Sequence, residues 1–78
     1  QKNKIFFKNI NLLDKHIKDH ELECSAKIRS TQNEISGKLK IIDDGGYFIF
    51  NESISATSPG QACVFYKDEQ VLGGGWIT

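Results

Sequence analysis

From Glu21 to Ser30 apolar and polar residues alternate, with Leu22, Cys24, Ala26 and Ile28 set against Glu21, Glu23, Ser25, Lys27 and Arg29. A period of two puts each set on its own side of an extended chain, so the segment predicts a half-buried strand. After the polar connection Thr31-Gln32-Asn33 the alternation restarts, with Ile35, Gly37, Leu39 and Ile41 inward and Glu34, Ser36, Lys38 and Lys40 outward. Two such runs joined by a short link predict a hairpin. Asp43-Asp44-Gly45-Gly46 is the next turn signal, because Asp-Gly and Gly-Gly supply positive φ at little steric cost, and Tyr47 to Phe50 reads as the third consecutive strand.

Asn51 to Gln61 is rich in polar and small residues, with Ile54 and Ala56 as apolar anchors, and reads as a long connection. It closes at Pro59-Gly60, where proline pre-sets the first corner of a turn and Gly60 supplies the positive φ of a type II turn. Ala62 to Tyr66 is apolar or aromatic throughout, the mark of a strand covered on both faces. Lys67-Asp68-Glu69 reverses the chain, and Gln70 to Leu72 starts a return strand that Gly73-Gly74-Gly75 bends before Trp76 and Ile77 pack. Near the start, Ile5 to Leu13 gives another strand, with Asn9 as its expected break; Leu12 to Glu23 leaves room for one helical turn. The sum predicts an all-β fold, a small closed or nearly closed antiparallel β-barrel of about six strands, a form that removes exposed strand edges.

A chain of 78 residues holds one core and one domain. Ten basic residues balance ten acidic ones, so no overall field draws it to nucleic acid or a membrane, and any such contact needs a local patch. No apolar run approaches the roughly 18 residues of a membrane span, and the run after Gln1-Lys2-Asn3-Lys4 is too short for a signal peptide. The expectation is a cytosolic chain, and Gln1 in place of Met suggests an excised or trimmed piece. Cys24 and Cys63 both fall in strand-like segments and are expected as buried, reduced thiols.

Catalytic and metal chemistry find little support. His16, His20 and Cys24 are spaced by four, which would align ligands on a helix, but the strand beginning at Glu21 breaks that alignment. Asp43-Asp44 lacks the ligand positions and terminal glutamate of an EF-hand. Gly73-Gly74-Gly75 lacks the Lys-Ser/Thr and the helix of a phosphate loop. No nucleophile or carboxylate has a recognisable base beside it, so the chain reads as a binding or accessory module with no catalytic residue and no metal site. The candidate binding residues are Lys27, Arg29, Lys38 and Lys40, all outward on the predicted hairpin. One reading is a solvated face in which Glu21, Glu23 and Glu34 are interspersed; the other is a basic patch that touches RNA phosphates without reading sequence.

Cys24-Ser25-Ala26-Lys27-Ile28-Arg29, Gln32, Ala56-Thr57-Ser58-Pro59-Gly60-Gln61-Ala62-Cys63-Val64-Phe65-Tyr66 and Leu72-Gly73-Gly74-Gly75-Trp76-Ile77 resemble, in order and spacing, the C-terminal domain of the bacterial and organellar tRNA-specific 2-thiouridylases. The Pro-Gly-Gln to Gly-Gly-Gly block is the specific part, and before Glu21 the match is thin. Ser30, Val71 and Leu12 depart from a tyrosine, a cysteine and a tryptophan frequent in the family. The resemblance implies a β-barrel similar to the second domain of elongation factor Tu, which helps to hold tRNA. It also implies a parent enzyme whose catalytic PP-loop and central domains lie upstream and use ATP and Mg to 2-thiolate the wobble uridine. Neither Cys24 nor Cys63 matches the family's catalytic cysteines, and the alternative to tRNA contact is a structural docking domain of the same enzyme.

Overall fold

A computed structural model describes residues 2–13, 21–28, 34–54 and 57–78. They form β1 (Lys2–Leu12), β2 (Glu21–Ile28), β3 (Ile35–Ile42), β4 (Gly45–Ile54), β5 (Ala62–Lys67) and β6 (Gln70–Ile77). The strands close into an antiparallel barrel in the order β1-β4-β3-β2-β5-β6, with β6 returning to β1. The alternation decides which side of each strand faces in. Cys24, Ala26 and Ile28 of β2 and Leu39 and Ile41 of β3 are buried, as the period of two requires. The hairpin pairs Glu21 with Lys40, Glu23 with Lys38 and Cys24 with Gly37.

Aromatic rings fill the interior. Phe7 lies 5.1 Å from Phe65 between ring centroids, Phe65 5.7 Å from Phe48, and Phe48 4.8 Å from Phe50. Contacts of this kind add about 0.5–1.5 kcal/mol each beyond the area they bury. Cys24 and Cys63 are free thiols in this core, and burial pushes them up to about 11 and about 12, so both stay protonated at neutral pH.

The turns follow their residues. Ser58 O accepts the Gln61 N–H at 3.3 Å, Gly60 takes φ 92, and the Gln61 side chain accepts from Ser58 N at 2.8 Å, closing the type II corner expected at Pro59-Gly60. Gly60 N donates to Ile77 O and Ile77 N to Gln61 O, which ties this corner to β6. Asp68 and Glu69, at φ 52 and 70 between the paired Lys67 and Gln70, make the two-residue reversal of β5 and β6.

Three expectations change. β4 runs on to Ile54, because Asn51 to Ser53 continue the strand toward the Lys2–Ile54 pair, so the connection is shorter than its polar composition suggests. β5 is covered on one face: Cys63 and Phe65 are fully buried, whereas Ala62, Val64 and Tyr66 are half-buried on a barrel wall with no second layer among the described residues. Ile77 packs inside, but Trp76, one step along the pleat, points outward with 48% of its surface exposed. The possible helical turn falls largely on residues 14–20, which with His16 and His20 lie outside the described residues.

Candidate nucleic-acid interface

The outward positions of β1 are Lys4, Phe6 and Lys8, because Ile5 and Phe7 are buried between them. Across the ladder to β4, Phe6 pairs with Tyr47 and Lys4 with Ile49; from β4 to β3, Tyr47 pairs with Lys40 and Ile49 with Lys38. The two registers lay out a continuous wall in which Lys40, Tyr47 and Phe6 form one row and Lys38, Ile49 and Lys4 the next. Phe6 is 53% exposed and meets Tyr47 edge-on at 6.0 Å. Lys4 Nζ lies 4.2 Å from the Tyr47 ring centroid and 5.2 Å from that of Phe6, a cation–π arrangement worth about 0.5–1 kcal/mol at an exposed site. Lys8 pairs with Trp76 on the other side of β1. Among the described residues, the outward positions of β1 from Lys4 to Lys8 and of β4 from Gly45 to Ile49 hold no carboxylate.

The four basic residues expected from the sequence divide. Lys38 and Lys40 lie together on the outer face of β3, but β2 brings Glu23 opposite Lys38 and Glu21 opposite Lys40. Lys38 Nζ sits 3.8 Å from Glu21 Oε1, with both side chains about half exposed, so the pair contributes little to stability. Lys27 lies beyond the last pair of that ladder, opposite Val64 of β5. At roughly 3.3 Å per residue this is more than ~10 Å along the sheet from Lys38. Arg29 lies outside the described residues. Lys67 Nζ donates to the Glu23 carbonyl at 3.0 Å, joining the β5–β6 turn to β2 past the last β2–β5 pair.

Lys4, Phe6 and Lys8 carry only a partial signal in the sequence. Lys4 and Lys8 are an even number of residues apart, as one strand face requires, yet the adjacent phenylalanines between them hide which ring is buried, and no local rule pairs the first strand with the fourth.

Among the described residues no helix is long and apolar enough to cross a membrane, and no group of His, Cys, Asp or Glu is placed to hold a metal ion.

A family model described as the aminomethyltransferase beta-barrel domain matches residues 2–77. The tRNA-specific 2-thiouridylase MnmA of Rickettsia felis is 49% identical over 73 residues, covering 91% of this chain and 20% of that protein. The same enzyme of Rickettsia prowazekii is 47% identical over 73 residues, with the same coverage. That of the Wolbachia of Brugia malayi is 44% identical over 79 residues, covering 95% of this chain and 20% of its own length. The chain thus spans about a fifth of the curated relatives it matches.

Proposed function

We infer, for a chain that belongs to the aminomethyltransferase β-barrel family as a C-terminal domain of the tRNA-specific 2-thiouridylase kind, that it binds and positions tRNA for catalytic domains outside it. In this reading the parent is a cytoplasmic enzyme that uses ATP and Mg to 2-thiolate the wobble uridine, and the barrel contributes no catalytic group. The observation that carries the reading is the wall of Lys4, Lys8, Lys38 and Lys40 interleaved with Phe6 and Tyr47. Lysines supply sequence-independent phosphate contact, and exposed rings supply stacking surface that tolerates any base. Lys38 and Lys40 carry over from the hairpin candidates. Lys27 and Arg29 remain part of the proposal, Lys27 as a flank of the same hairpin.

The test is tRNA affinity of the full-length enzyme over a salt series. Lys4→Glu with Lys8→Glu should weaken binding about 100-fold and lower the salt slope by about one unit for each phosphate no longer neutralised. Lys27→Glu should cost only a few-fold. Unchanged affinity and slope in the double variant would sink the reading. That result would favour a structural docking domain, for which the exposed Phe6, Ile42 and Trp76 would be the contact surface.

A further inference from the structure

Beside Trp76 the outer wall carries a shallow groove of about 250 Å³, bounded by Asn9, Asn11, Ala62, Val64, Gly74 and the indole itself. The groove exists because of what the strands lack. Gly74 has no side chain and Ala62, the partner of Trp76 on β5, has a single methyl, so the sheet is bare where neighbours elsewhere would cover it. A β-bulge supplies the rim: Lys8 pairs with Trp76 and Asn11 with Gly74, so Asn9 and Ile10 together face Gly75. Asn9 takes φ 54, a conformation asparagine tolerates better than most residues, and Asn9 and Asn11 are both exposed while Ile10 and Leu12 pack against the core.

The chemistry of this place is specific. An exposed indole offers a stacking wall, two amides offer donors and acceptors together, and Lys8, which pairs with Trp76 from β1 just outside the groove's lining, offers a positive charge. An aliphatic side chain would leave the amides unanswered, and a small cation would meet Lys8. A flat heteroaromatic ring with a polar edge, carried on an anionic backbone, satisfies all three. We propose that the groove receives one unstacked nucleobase of the bound tRNA, stacked on Trp76 with its edge toward Asn9 and Asn11; this rests on the tRNA reading above and names a base subsite within it.

The experiment uses the full-length enzyme and tRNA, with Trp76→Ala, Trp76→Phe and the lysine double variant measured over one salt series. Trp76→Ala should weaken binding about tenfold with the salt slope unchanged, since stacking releases no counterions, while Trp76→Phe keeps most of the affinity. The Trp76 part of the fluorescence, taken as wild type minus Trp76→Phe, should be open to acrylamide without tRNA and shielded with it. If Trp76→Ala binds as wild type while the lysine variant loses affinity and slope, the base subsite is overturned and the tRNA reading stands. If neither variant changes binding, both fall. An indole already shielded in the tRNA-free enzyme would mean that another part of the enzyme fills the groove, which also overturns the subsite.

Discussion

Behind β1, β4 and β3 and behind β2, β5 and β6 lies one interior: Phe7, Phe48 and Leu39 on the first side meet Ala26, Cys63 and Phe65 on the second, all nearly free of solvent. In front, the two halves differ. The first presents Lys4, Phe6, Lys8, Tyr47 and Lys40, with no carboxylate between Lys4 and Lys8 of β1 or Gly45 and Ile49 of β4. The second presents the acidic start of β2 and a stretch bared by Ala62 and Gly74. The contrast teaches that a charged patch belongs to the register rather than to the strand. Lys38 and Lys40 face Glu23 and Glu21 across one ladder, yet Ile49 and Tyr47 across the other.

The largest expected effect tests whether the halves are closed by the same device. Gly46 of β4 and Gly73 of β6 take φ 148 and 158, and a Cβ would run into Lys40 O at the first and Asn11 O at the second. Alanine at either should cost about 1–3 kcal/mol in backbone conformation alone, with the oxygen clash added, out of a total of about 5–15 kcal/mol for a domain. Denaturant midpoints should fall strongly and alike; tolerance at one site would show that the strand approach there, β4 on β3 or β6 on β1, does not depend on a glycine.

The next effect separates the interiors by pH. Among the described residues the buried titratable groups, Cys24 and Cys63, both sit in the β2–β5 half. In the folded chain their pKa values, about 11 and about 12, lie above the ordinary 9.0, mainly through desolvation. Between those limits the unfolded chain loses thiol protons that the native chain keeps, so this contribution is whole below pH 9 and is lost as pH rises above it. Unfolding free energies from pH 8 to 11 should decline, and Cys63→Ala should flatten the decline even though it lowers stability at every pH. An unchanged slope in that variant would refute the assignment.

The smallest effect lies in the β5–β6 reversal. Glu69 at φ 70 holds a conformation that glycine adopts freely, so Glu69→Gly should raise stability by about 1 kcal/mol in thermal or denaturant unfolding. A decrease in stability would mean that the Glu69 side chain makes a compensating contact.

The inside of this fold was more legible than its outside. Cys24, Ala26, Ile28, Leu39 and Ile41 declared their burial by alternation, and Pro59-Gly60 declared its turn, because both depend on local geometry. Trp76 did not, since a Gly-Gly-Gly run before it offers no alternation from which to count the pleat. The candidate wall was half legible: Lys38 and Lys40 could be placed outward from β3 alone. Their junction with Lys4 and Phe6 depends on β1 pairing with β4, a contact between residues more than forty positions apart that no local pattern encodes.

Whether tRNA covers the proposed lysines of the barrel can be read directly. Amine-reactive labelling of the full-length enzyme, with and without tRNA and resolved residue by residue by mass spectrometry, reports that coverage. Lys4, Lys8 and Lys40 should become protected when tRNA binds, while Lys67, held on the β2–β5 side by Glu23 O, should label equally in both states. Protection of Lys67 with Lys4 and Lys8 left open would contradict the proposed face.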